Sequence, residues 1–255
     1  MSEQRDDEKF KVVIYANEYR QICAWVLQHG YLETGGDLFG LWKDDHTAVI
    51  QLVLGPGKNC RRASASFYQD VHYLEKAGSQ LIKQEGVCHI GEWHSHHKIG
   101  LKQPKGGDRG TVWRNMLTYG LNRFVLFIAN IETQFNSAAS VGCFLFERGT
   151  VDQSQRMTQG QFHLLPNESP LREKLQTDLK EGSETINGKE EISRITLFTA
   201  DQSVESSQLS IRPVMYREKR LISQMKDEPT PNENIARNTL LRYEFIRRCP
   251  FCTVL

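Results

Sequence analysis

The chain has 255 residues, 39% hydrophobic and 25% charged, the balance of a globular protein with some polar excess. That length holds one core-forming domain with appendages, or two small domains. Its 32 basic and 31 acidic residues leave a formal charge of +1, which argues against a nucleic-acid binder working through bulk charge. No run of about 20 apolar residues is present, so no spanning helix is expected. The opening "MSEQRDDEKF" is highly charged and lacks the apolar run of a secretory signal, which makes the cytoplasm the expected compartment.

In chain order, "FKVVIY" (Phe10–Tyr15) reads as a short strand from its β-branched content. Asn17 precedes a helical pattern with Ile22, Trp25, Val26 and His29 near one face. "DLFGLW" and "TAVIQLVLG" read as two strands of a hairpin joined by the polar turn "KDDH". "RRASASFYQD" (Arg61–Asp70) is either a substrate-contacting loop or a solvated connection. Asp70 is placed to cap a second helix carrying Val71, Leu74, Leu81 and Ile82, and Gly86 is placed to end it. "VCHIGEWHSH" (Val87–His96) is the next strand, followed by a Gly/Pro loop. "DRGTVWRNMLTYG" (Asp108–Gly120) fits a third helix, and "RFVLFIANIE" and "SVGCFLFERG" are two strongly apolar strands. Alternation of this kind predicts an α/β layered domain with a sheet flanked by helices.

After about Pro166 the chain becomes charged. "ESPLREKLQTDLKEGSETINGKEE" has little apolar content and is expected to be partly helical or unfolded, and "ISRITLF" could add a strand. "SQMKDEPTPNENIAR" reads as a linker. The expected division is a domain over 8–168 and a charged, partly disordered extension over 169–255.

The chemistry concentrates in "GEWHSHHKIGLKQPKGGD", residues Gly91–Asp108. Side chains two apart on a strand share a face, so His94 and His96 present their imidazoles together while Ser95 and His97 turn away. Asp108, beyond the loop, can bring a carboxylate to the pair. Two imidazoles and a carboxylate suit zinc with a fourth position open to water, the catalytic type of site. Such a site also needs a carboxylate that takes a proton from water and hands it to the leaving amine. The alternative is a surface histidine pair and an aspartate that only caps a helix. Burial of the flanking strand favours the metal, because unpaired buried imidazoles are costly.

These residues resemble a known family. "HSH", a loop and an aspartate look like the metal signature of the JAMM/MPN+ metalloproteases, and "GEWHSHH" is similar to one subgroup of it. The upstream "ETGGDLFG" (Glu33–Gly40) matches the family's glutamate element, and the order of elements agrees over about Phe10–Pro166. The resemblance implies a mixed β-sheet flanked by helices, an MPN or cytidine-deaminase-like layered domain. It implies His94, His96 and Asp108 as ligands of one zinc ion, and Glu33 as general acid/base. The implied reaction is hydrolysis of an isopeptide or peptide bond at the C-terminus of ubiquitin or a ubiquitin-like protein. Relatives often work within complexes, so an MPN-type or other protein partner is a further expectation. Ser95 matches a frequent family residue and is expected to be structural.

Two departures bear on activity. The family places a serine three residues before the aspartate, where it helps hold the carbonyl oxygen in the transition state; here Lys105 stands in that position. A lysine could donate to the oxyanion from a long, flexible stem. The loop from His96 to Asp108 is also one residue longer than the commonest form. A zinc-holding scaffold of weak or no activity is therefore the competing expectation.

Trp93 and Trp113 are expected in the core. His97 is expected to be loop structure or an outer partner, not a fourth ligand. His89 is placed on the face opposite the ligands and is expected to be a satisfied core histidine. Most of the six cysteines are expected as small buried hydrophobes in a reducing compartment. "CPFC" is a weak zinc signal without a second pair. "CTVL" at Cys252–Leu255 has the form of a prenylation box, with Cys249 able to take a second lipid and Arg242, Arg247 and Arg248 upstream. In a eukaryotic source that ending would bring the protein to a membrane surface.

Overall fold

Apolar strands alternating with amphipathic helices assemble in the computed structural model, which describes residues 9–96, 101–132, 138–149, 152, 154–179 and 198–199. In chain order these form β1 (Lys11–Tyr15), α1 (Ala16–Gln28), β2 (Gly35–Asp44), β3 (Thr47–Leu54), β4 (Arg61–Ala63), β5 (Ser66–Tyr68) and α2 (Val71–Gln80). They continue as β6 (Cys88–Ser95), α3 (Gly106–Tyr119), β7 (Arg123–Ile131), β8 (Ala139–Arg148), β9 (Gln155–Gln159), β10 (Gln161–Leu165), α4 (Pro170–Leu179) and β11 (Phe198–Thr199). The fold is mixed α/β with helices flanking a curled mixed sheet of order β10-β1-β3-β2-β6-β7-β8-β11, and β9 also pairs with β8. β2–β3 is the expected hairpin, antiparallel and turned at Asp45–His46.

The curl has a local cause. β9 lies on β8 and β10 lies parallel to β1, so the chain changes edges at Gly160. There Gly160 N–H donates to the Cys143 carbonyl at 2.9 Å and Gln161 N–H to the Phe10 carbonyl at 2.9 Å. A Cβ on Gly160 would meet Phe10 Cδ1 at 2.5 Å and Cys143 Sγ at 3.0 Å, so the crossing requires glycine.

The two sheet faces bury separate cores. On one face α1 places Tyr19, Ile22, Trp25 and Val26 against Leu38, Ile50, Phe127 and Val141. On the other, α2 buries Tyr73, Leu74 and Ala77 against Phe39 and Leu52, while α3 sets Val112 and Met116 against Leu126, Ile128 and Phe144. Trp93 is fully buried, stacked on Trp25 at 5.7 Å with its indole N–H donating to the Leu54 carbonyl at 3.0 Å. Trp113 packs edge-on to Phe146. Cys23 and Cys143 are buried.

Several element starts differ from the sequence reading. α1 begins at Ala16, directly from β1, so Asn17 lies in its first turn and not at its cap; the Asn17 side chain donates to Glu168 Oε1 at 2.6 Å. α2 is capped as expected, Asp70 Oδ1 accepting the Tyr73 N–H at 3.2 Å. A π-helical turn over Leu81–Glu85 extends it, and Gly86 ends it with φ of 66°. β2 starts at Gly35, two residues before the expected Asp37, and α3 starts at Gly106, so Asp108 is its third residue.

The expected boundary at 168 falls inside the packing. Ser169 donates to the Gln51 carbonyl, and Leu171 is buried beside α2. Arg172 reaches the fully buried Glu18, with Nη2 2.5 Å from Oε2 and 2.7 Å from the Val53 carbonyl, while Val53 N–H donates to the same carboxylate at 2.8 Å. Removing one partner of a buried pair leaves an uncompensated charge. Arg172→Ala should therefore destabilise the domain by about 3 kcal/mol, and Glu18→Gln/Arg172→Ala should recover part of that loss, both read from denaturant unfolding.

Candidate metal centre

The site begins with an irregularity in β6. Its ladder with β2 pairs Leu38 with Gly91 but Phe39 with His89, so Ile90 is an extra residue, a β-bulge. Beyond the bulge the alternation is reset. Trp93 pairs with Phe127 in the α1-side core, and His94 pairs with Ile128 in the α3-side core. His94 thus turns toward α3, as strand alternation expected for it and His96. The same bulge overturns the placement of His89, which shares the ligands' face. His89 is buried there, with Nε2 2.8 Å from Asp37 Oδ1 and its ring against Phe39 and Phe124.

α3 brings Asp108 to the pair. His94 Nε2 and His96 Nε2 stand 3.2 Å apart, and Asp108 Oδ1 and Oδ2 lie 3.4 Å from His94 Nε2 and 3.3 Å from His96 Nε2. Donors held about 2.0–2.1 Å from a tetrahedral ion stand about 3.3–3.4 Å apart. The contacts have that length, with a different Asp108 oxygen facing each imidazole; one donor atom from each of the three side chains lies within 4.8 Å of the others, so the set could hold a metal ion.

Two backbone groups aim these ligands. The Leu101 carbonyl accepts from His96 Nδ1 at 2.9 Å, which fixes the tautomer that leaves Nε2 free to ligate. Asp108 Oδ2 accepts the Lys105 N–H at 2.6 Å. Lys105 is the residue that caps α3, but its ammonium has no acceptor and its side chain makes no cap bond, so the stem stays exposed.

Backbone pairing also fixes Glu33. Gly35 pairs with His94, Ser95 N–H donates to the Thr34 carbonyl at 2.8 Å, and Ser95 Oγ accepts the Thr34 N–H at 3.0 Å. Glu33, next before Thr34, is partly exposed, and its N–H donates to the Ala63 carbonyl of the β4–β5 hairpin at 2.9 Å. Ser95 is buried in this structural role. Arg61–Ala63 and Ser66–Tyr68 form a hairpin beside β2, where a Cβ on Gly35 would meet the Phe67 ring at 2.8 Å. Phe67 and Leu101 were missed by residue-type reasoning. Phe67 could have been found from "SFY" as a short strand; the Leu101 contribution is a carbonyl and has no side-chain signal. His97, Cys249 and Cys252 lie outside the described residues. Among the described residues no helix is long and apolar enough to cross a membrane.

The two imidazoles and the carboxylate stand at ion-pair distance from one another. Burial alone would raise the Asp108 carboxyl; hydrogen bonds from both imidazoles, the His94 charge and the Lys105 N–H outweigh it and hold the carboxyl well below the usual range. Burial alone would lower His96; the Asp108 hydrogen bond, the Leu101 carbonyl and the Asp108 charge outweigh it, against opposition from the Lys105 charge, and raise it.

No protein-family model matches the chain. No curated protein matches it either. Among solved structures it is similar to a protein of Desulfitobacterium hafniense determined in solution, 16% identical, aligned over 62% of this chain and 94% of that chain with a TM-score of 0.44.

The raised His96 value sets a pH test. In metal-free protein its contribution to stability is complete below the ordinary histidine value of about 6.5 and is lost as pH rises through the raised value. The depressed Asp108 contribution is complete above about 3.9 and is lost only at lower pH. Metal binding requires free imidazole nitrogens, so the slope reverses when metal is bound. Melting of metal-free protein should fall from pH 6 to 8, and the increment on adding zinc should grow over the same range.

Proposed function

We propose that the chain is a zinc metallopeptidase of the JAMM/MPN+ type, cleaving isopeptide or peptide bonds at the C-terminus of ubiquitin or a ubiquitin-like protein. The observation that carries this reading is the convergence of His94, His96 and Asp108, with Nε2 to Nε2 at 3.2 Å and one Asp108 oxygen 3.3–3.4 Å from each imidazole, and with Glu33 two residues before Gly35, the ladder partner of His94. The mixed sheet with flanking helices and the order of glutamate element, helix, His-x-His strand and aspartate helix support it.

Zinc held there would lower the pKa of a coordinated water and polarise the scissile carbonyl. The chain's own residues supply the rest. Glu33 takes the proton from the attacking water and passes it to the departing amine, the role of a positioned carboxylate beside a nucleophile. The Leu101 carbonyl keeps His96 in the ligating tautomer, and the Lys105 N–H keeps Asp108 turned to the site. The Phe67 ring stands beside Gly35, the ladder partner of His94.

A second reading, a zinc-holding module of weak activity that binds protein partners, is favoured by Lys105. Its exposed side chain is not anchored, whereas a serine there would both cap α3 and offer a short, fixed donor to the oxyanion. Lipid attachment at Cys252 and Cys249 is a separate expectation of either reading, testable by mass spectrometry of the protein from eukaryotic cells.

The discriminating experiment measures zinc content and cleavage of ubiquitin chains. The purified protein should carry about one zinc, and His94→Ala should abolish it. Wild-type cleavage that falls by at least about 100-fold in Glu33→Gln, with zinc retained, supports the peptidase. Cleavage that appears only in Lys105→Ser supports the weak module, and a protein without zinc overturns both.

A further inference from the structure

The chain segment Leu101–Lys105 lies between the two ligand-bearing elements and touches two of the three ligands through backbone atoms alone. Its Leu101 carbonyl accepts from His96 Nδ1 at 2.9 Å, and its Lys105 N–H donates to Asp108 Oδ2 at 2.6 Å. The aim of both ligands therefore depends on where this backbone sits, not on its residue types. One side chain ties the segment to the sheet: Lys102 Nζ donates to Glu132 Oε1 at 3.0 Å.

Glu132 is well placed to be a fixed point. It immediately follows β7, the strand whose Ala129 carbonyl accepts the His96 N–H at 2.8 Å. Its own N–H donates to the Ala138 carbonyl at 2.9 Å, and its carboxylate accepts the Ser140 hydroxyl from β8. A second observation shows the segment seated on β8: a Cβ on Gly142 would lie 3.3 Å from the Lys102 carbonyl oxygen. The absence of a side chain there lets the segment come down beside the sheet.

We infer that Glu132 is a positioning residue for the metal centre, acting through Lys102 on the backbone that aims His96 and Asp108. This rests on the metal-binding reading of the site. The Lys102 side chain is 57% exposed and that of Glu132 27%, so their ion pair contributes little to global stability. Groups that orient metal ligands from outside the coordination sphere nevertheless change metal affinity by about 10–100-fold. Affinity and stability should therefore separate.

The test measures zinc affinity by competition with a chelator, beside melting of the metal-free protein. Glu132→Ala and Lys102→Ala should each weaken zinc binding about tenfold, the double variant no further, and Lys102→Arg should retain it. Melting of the metal-free variants should stay within a few degrees of wild type. In nitrogen-15 spectra, the hydrogen-bonded Nδ1–H signal of His96 should weaken in both alanine variants. Unchanged zinc affinity, or a loss matched by general destabilisation, overturns the inference. If Glu132→Ala does not fold, the exposed Lys102→Ala carries the comparison. A wild type that binds no zinc overturns the metal reading itself, whereas equal affinities in wild type and both variants overturn only the role of Glu132.

Discussion

The extra residue at Ile90 decides which way every later side chain of β6 points. Ahead of it, Cys88 and Ile90 sit in the core under α1; beyond it, that core receives Trp93, and His94 turns to the opposite face. Strict alternation from Cys88 would have sent the even-numbered positions, imidazoles included, into the apolar core. A one-residue slip inverts both faces of a strand, so something must hold the register. Trp93 does so. It fills the space beside Trp25, and its indole N–H is satisfied by the Leu54 carbonyl. Moving it to the other face would empty the core of its largest side chain and bury two imidazoles without partners.

The buried charges elsewhere in the molecule follow one rule. Glu18 meets Arg172 and the Val53 N–H, and Asp37 meets His89 and the Gln69 amide. Each is closed by partners inside the protein. The cluster of His94, His96 and Asp108 differs in kind, because its donor atoms are directed at one another around a common point and not spread over separate partners. Nitrogen faces nitrogen at 3.2 Å, with a carboxylate oxygen 3.3–3.4 Å from each. A divalent ion bound there would satisfy all three groups at once.

How much of this was legible in the sequence depended on whether the signal was a side-chain identity or a backbone event. His94 and His96 were readable because two-residue spacing survives in any strand downstream of the bulge. Asp108 was readable as the start of a helix, although its place as third residue of α3, accepting the Lys105 N–H, came from the extra turn supplied by Gly106 and Gly107. His89 was misplaced because a bulge leaves no mark in residue type. The change of edge at Gly160 looked like any loop glycine, since the demand for it comes from Phe10 and Cys143, which are distant in sequence. The charged stretch after Pro166 suggested an extension, yet Leu171 and Arg172 are held by α1, α2 and β3; one apolar residue and one paired charge are too few to show in composition.

Lys105 brings these strands of argument together, because its two halves act separately. Its N–H orients Asp108, and any residue except proline supplies that group. Its side chain occupies the position where a short hydroxyl would cap the helix, and an ammonium on a flexible stem cannot accept the cap bond. A lysine in place of a serine there would therefore leave the hold on Asp108 untouched and change only what the side chain presents at the helix start. On the proposed reading, retention of metal and efficiency of hydrolysis would be controlled at this one position by different atoms, so metal content by itself would not report turnover.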